Sequence, residues 1–179
     1  MGNMLNPIWA HRLIFAAVAA FLMFLRLLPV HPAAAGSLPG PDFLLCLIFA
    51  WTLRRPEYLP LWLLAIILLL EDFLLMRPPG LWTALVIIAT EFIRSRIALT
   101  RELNFGVEWL LVSGLMLAVF LAYRIIFALV FLPEPAFGYA AIKILWSILA
   151  YPAVVAVSHY ALDLHKPATG ETDAYGRRL

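Results

Sequence analysis

Glu71 and Asp72 stand side by side near the end of a long apolar run, in the stretch WLLAIILLLEDFLLMRPPG at residues 62–80. At a bilayer centre each carboxylate would cost about 2.5–3.5 kcal/mol on insertion scales, and less near an interface. The pair must therefore face protein, water or a partner. Adjacent carboxylates in a low dielectric need not both be ionised. Successive helix positions point about 100° apart, which leaves one of the two free to face water.

Other reactive groups are few. HExxH, GxSxG and GxxxxGK[ST] are absent, so no zinc-hydrolase, nucleophile-elbow or phosphate-loop chemistry is indicated. Ser158 and His159 are neighbours on a helix, where their side chains diverge and make a poor nucleophile–base pair. His159 reads as an interfacial or hydrogen-bonded histidine. Cys46, the only cysteine, lies in an apolar run, which excludes an intrachain disulfide and a thiolate metal cluster. The expectation is a protein that is not an enzyme, with no catalytic residue, metal or cofactor.

The elements that must position these groups are hydrophobic helices. Of 179 residues 64% are hydrophobic and 13% charged, with mean hydropathy +0.94 and net charge +2. No soluble domain reads this way, and the scattered basic residues leave no nucleic-acid footprint. The pattern predicts an all-α, polytopic membrane protein of one domain over residues 1–166. About six transmembrane helices are expected, at 9–29, 38–53, 58–76, 80–96, 105–132 and 137–162, followed by a polar cytoplasmic tail at 167–179. Ala33-Ala34-Ala35 resembles a signal-peptidase site. The apolar core before it exceeds the usual signal length, however, and Arg26 and Pro29 interrupt the approach, so an uncleaved helix is expected. The second apolar run is short for a 30 Å core: it begins before Pro41, is shielded by neighbours, or crosses only in part. Pro133-Glu134-Pro135 ends the fifth helix, and Pro152 lies inside the sixth as an expected kink.

Short-loop basic residues orient the chain. With the N-terminus inside, the inner loops hold Arg54, Arg55, Arg94, Arg96 and Arg101, and the tail Lys166, Arg177 and Arg178. This places both termini in the cytoplasm, with Trp9, Trp62 and Trp109 on the inner interface and Trp82 on the outer. Arg26, Asp42, Glu71, Asp72, Arg124 and Lys143 then fall at similar outer depth. Three readings are open for them: an ion-pair network joining helix ends, snorkelling cations with carboxylates in interfacial water, or a bound substrate or ion. Asp42 is also placed to cap the second helix. On the inner side Glu91 and Arg94 form an i,i+3 pair, and Glu108 lies in the first turn of the fifth helix. Ala16-x-x-x-Ala20 and Gly114-x-x-x-Ala118 mark faces where helices approach closely, within the chain or with a partner.

In order along the chain, these features resemble MreD, the rod-shape-determining membrane protein family of bacteria. Pro41-Asp42 opens a hydrophobic helix that closes in a basic-proline loop. An apolar helix reaches Asp72, and Gly80, eight residues on, opens the next. A last helix carries Pro152 and is followed by a basic tail. The likeness runs from the first helix to His165-Lys166. Two departures are Met76, where a glycine is often found, and the stiff Pro78-Pro79. The resemblance implies a non-catalytic inner-membrane scaffold that binds MreC and acts with MreB, RodA and its transpeptidase in cell elongation and peptidoglycan synthesis. Asp42, Glu71, Asp72, Gly80, Arg26, Arg124, Lys143 and Pro152 are its structural or partner-binding candidates. The family is also similar in fold to transporter S-components, so the alternative is a solute-binding transporter subunit.

Overall fold

Prolines, glycines and capping side chains cut the apolar sequence into its elements. The computed structural model describes residues 7–28, 39–96, 104–131 and 136–162. Six α-helices and no strand occur among the described residues: α1 (Pro7–Leu27), α2 (Phe43–Arg54), α3 (Leu61–Leu74), α4 (Leu81–Ser95), α5 (Phe105–Leu129) and α6 (Phe137–Leu162). Ala33-Ala34-Ala35, Arg101, Pro133-Glu134-Pro135, His165-Lys166 and the tail lie outside the described residues.

The local reasons are legible. Asp42 caps α2 by accepting the Leu45 N–H at 3.1 Å, so this helix starts at residue 43, later than the expected 38. Arg55-Pro56 stops it, and a 3₁₀ turn, Pro56–Tyr58, precedes Pro60 at the N-cap of α3. Asn104 caps α5 by accepting the Val107 N–H at 3.1 Å. α3 and α5 end on residues of positive φ, Met76 at 52° and Phe131 at 56°.

Three helices are long and apolar enough to cross a membrane: Ile8–Leu27, Phe105–Leu129 and Phe137–Tyr160. The other three, of 12, 14 and 15 residues, reach only about 18, 21 and 22 Å at 1.5 Å per residue. They are shorter than a bilayer core of about 30 Å. This is a helical protein with membrane-length elements.

α2 lies in the middle. It packs against α1, α4 and above all α6, while α3–α4, α4–α5 and α5–α6 are neighbouring pairs. Every residue from Leu44 to Arg54 is buried, and this explains a helix apolar on all sides. α1 contributes Phe15, Ala19 and Met23, spaced one turn apart, with Phe15 5.2 Å from Trp51. Ala16 and Ala20 flank that seam without forming it. At Gly114 an added Cβ would meet nothing within 4 Å, so Gly114-x-x-x-Ala118 is not a packing seam within the chain. Trp9 and Trp62 sit 6.4 Å apart at one end. Trp82, expected at an interface, is buried against Tyr123.

Pro152 lies within a continuous α6. Lacking an N–H, it leaves the carbonyl four residues earlier without its helical donor. That carbonyl, of Ile148, accepts the Trp109 indole N–H at 2.9 Å, so the proline fastens α6 to α5. Trp109→Phe is expected to cost about 1 kcal/mol, and less in a Pro152→Ala background, where the helix can supply the donor. A double-mutant cycle of unfolding in detergent reads this; strictly additive effects would show that the two residues are not linked.

Candidate functional site

The antiparallel alternation of the helices gathers charged side chains at both ends of α2. At its N-terminal end, Asp42 is held from two sides. The Arg26 guanidinium of α1 pairs with Asp42 Oδ1, and Lys143 Nζ of α6 lies 3.3 Å from Oδ2. The Asp42 backbone N–H donates to Ser147 Oγ at 2.7 Å, and this hydroxyl donates to the Lys143 carbonyl at 2.8 Å. The Cys46 thiol, buried one turn on, donates to the Ser147 carbonyl at 3.2 Å.

Arg26 also pairs with Glu71 Oε1, tying the far end of α1 to the end of α3. Glu71 Oε2 lies 3.2 Å from Arg77 Nη2, and Arg77 Nε lies 3.5 Å from Asp72 Oδ1. Asp72 Oδ2 turns toward α4, accepting the Gly80 N–H at 3.0 Å, the Thr83 N–H at 3.3 Å and the Thr83 hydroxyl at 2.9 Å. Gly80, at φ 90°, is the N-cap residue of α4 and has no side chain to cap with. The carboxylate of Asp72 does that work across the turn, and its spacing of eight residues from Gly80 follows from this geometry.

Both acidic neighbours are buried, Glu71 at 1% and Asp72 at 0% exposure. This corrects the expectation that one faces water: their different azimuths take them to different partners, α1 and α4. Arg77, in the turn between α3 and α4, lies in the cluster, with its guanidinium 5.1 Å from the Trp82 ring. Arg124, expected among the carboxylates, sits over the rings of Phe137 and Phe120, at 5.2 and 6.0 Å. The structure thus brings together Arg26, Asp42, Glu71, Asp72, Gly80 and Lys143. Pro152 lies well along α6 from Lys143.

Between Asp72 and Gly80 the chain closes α3 with two backbone bonds, Arg77 N–H to the Asp72 carbonyl at 2.9 Å and Met76 N–H to the Phe73 carbonyl at 3.2 Å. This is a Schellman ending, which needs a left-handed residue at the position Met76 occupies, one that glycine adopts without strain. Met76 is 95% exposed and contributes no packing there.

A second cluster at the other end of α2 escaped sequence reasoning. Arg54 Nη1 lies 2.9 Å from Glu108 Oε1, which also accepts the Tyr151 hydroxyl at 2.9 Å. Arg54 further donates to the Ala50 carbonyl at 3.1 Å. All three side chains are buried, joining α2, α5 and α6. The only sequence signal was Glu108 at a helix start, which the macrodipole explains equally well. The predicted Glu91–Arg94 pair forms at 3.0 Å with Glu91 exposed, while Arg94 also reaches the Leu59 carbonyl. Among the described residues no three His, Cys, Asp or Glu side chains are grouped to hold a metal ion. Cations neutralise the carboxylates instead.

Removing one partner from a buried pair costs about 3–5 kcal/mol. Asp72→Ala is therefore expected to destabilise the protein by that order, and Asp72→Asn, which keeps an acceptor for Gly80 and Thr83, by about 1–2 kcal/mol. Met76→Gly is expected to hold or raise stability by about 1 kcal/mol by relieving left-handed strain. Unfolding midpoints in detergent check all three; equal losses for both Asp72 variants would remove its capping role. Compared with protein families, curated proteins and solved structures, the chain matches none.

Proposed function

We propose that this chain is a non-catalytic membrane scaffold of the MreD type, with all six helices embedded and both termini in the cytoplasm. It would bind MreC and support cell shape and peptidoglycan synthesis with RodA, its transpeptidase and MreB. One observation carries the reading. The Asp72 carboxylate accepts the Gly80 N–H, and Met76 between them holds the left-handed conformation of a glycine position. This gives physical content to the aspartate–glycine spacing on which the resemblance rests. The charged groups at both ends of α2 pair with one another, which suits residues that hold helices in one arrangement.

The partner's single span is assigned to the outward face of α5. Gly114 lies there in open space, with Leu110, Leu117, Leu121 and Ile125 exposed along the helix, and small residues let helix backbones approach closely. A Cβ added at Gly114 meets nothing within 4 Å, and Leu improves helix propensity over Gly by about 1 kcal/mol. Gly114→Leu is therefore expected to keep the unfolding midpoint while lowering MreC recovery about tenfold or more in affinity purification with mass spectrometry. Undiminished recovery would move the contact to another face. Recovery of an ATPase pair with a second multi-pass subunit, in place of MreC, would make the chain a solute-binding transporter subunit.

A further inference from the structure

At the Asp42 end of the bundle a cleft of about 300 Å³ lies between the α3–α4 turn, α5 and α6. That is the lower end of the range for small-molecule sites, about 300–1,000 Å³. Three of its lining side chains are cations, Arg77, Arg124 and Lys143, and one, Asp42, is an anion. Much of the remaining wall is aromatic, with Trp82, Phe120, Tyr123, Phe127 and Tyr139.

Lys143 and Arg77 are held in place yet keep donors in hand. An ammonium carries three donors and a guanidinium five. Lys143 lies against one carboxylate oxygen, Asp42 Oδ2 at 3.3 Å. Arg77 meets the α3 carboxylates through Nε and Nη2, leaving its Nη1 group outside those contacts. The carboxylates thus fix the cations without exhausting them, and side chains fixed in advance lose less entropy on binding.

A second groove, of about 400 Å³, adjoins the cleft and shares Lys143 and Tyr139 with it. Its wall carries Leu22, Leu25, Leu28, Phe43 and Leu75, with Arg26 beside the shared Lys143. Leu25 and Phe43 are exposed. A largely aromatic cleft with three cations in its wall, continuous with a groove of leucines and Phe43 and bordered by membrane-length helices, matches a ligand with an anionic head and a hydrocarbon chain.

We propose that this cleft binds the phosphate of an anionic phospholipid through Lys143, Arg77 and Arg124, with an acyl chain lying along the neighbouring apolar groove. The phosphate oxygens accept from the three cations, and phosphate favours arginine where two donors can act together. A zwitterionic lipid brings its own cation to a site already rich in positive charge and binds less well. The site is independent of the partner contact on α5 and does not require the scaffold reading.

The test is native mass spectrometry of the full chain in detergent, titrated with phosphatidylglycerol or phosphatidylcholine. One phosphatidylglycerol is expected to bind about tenfold more tightly than phosphatidylcholine. Arg124→Gln, on the α5 wall of the cleft, is expected to remove most of that preference. Lys143→Gln should also weaken it, and Lys143→Arg should restore it; circular dichroism melting confirms that each variant is folded. Arg96→Gln, at the opposite end of the bundle, should bind as the wild type does. Competition by millimolar inorganic phosphate would support the phosphate site and assign its source to the free anion, whereas indifference to phosphate would assign it to the lipid. Equal binding of the two lipids, or wild-type preference in folded Arg124→Gln and Lys143→Gln, would overturn the proposal.

Discussion

A short helix with a charge at each end, surrounded by apolar neighbours, sets the terms for the rest of this structure. α2 is 12 residues long and buried from Leu44 to Arg54, with Asp42 at one end and Arg54 at the other. A charge withdrawn from water loses several kcal/mol of hydration, and only a close opposite charge with further hydrogen bonds offsets the loss. Every helix that approaches an end of α2 with an ionisable group is held by that need. Arg26 of α1 and Lys143 of α6 meet Asp42, and Glu108 of α5 meets Arg54, with Tyr151 of α6 completing the cluster.

The same economy governs the backbone. Helix ends and helix-breaking residues leave donors and acceptors that an apolar environment cannot satisfy. Asp72 on α3 supplies the cap that Gly80 cannot provide for α4, and Trp109 on α5 takes up the carbonyl freed by Pro152 on α6. In both cases an unsatisfied group of one helix becomes the attachment point of the next. The stability of the bundle therefore rests on a few directional contacts laid over general apolar packing, for hydrocarbon side chains gain little from leaving lipid for one another.

An arrangement of this kind suits a protein that presents surfaces. Charges turned inward and matched leave the outward faces of α1, α5 and α6 apolar, with Phe21 and Phe24, Leu117 and Leu121, and Leu145 and Leu149 exposed on them. Met76 and Phe131, nearly fully exposed in left-handed conformations, also show large apolar groups held outward. The proposed scaffold role and the proposed lipid site draw on this one division, with polar groups concentrated at helix ends and hydrocarbon on the flanks.

Much of this was legible in the residues. Apolar run lengths, the capping Asp42, the proline at 56 and the glycine at 80 mark the six helices to within a few positions. Antiparallel alternation then brings Arg26, Asp42, Glu71, Asp72 and Lys143 to one level. These features depend on local backbone chemistry and on counting residues, which a sequence contains in full. Which side chain meets which depends on how each helix is rotated about its axis, and a helix apolar on every side carries no periodicity from which to read that rotation. Hence Arg77 joined the carboxylates, both Glu71 and Asp72 were buried, and Arg54 found Glu108 across 54 residues of chain. Only the packed tertiary structure decides such azimuths, because they follow from the simultaneous fit of all the neighbours.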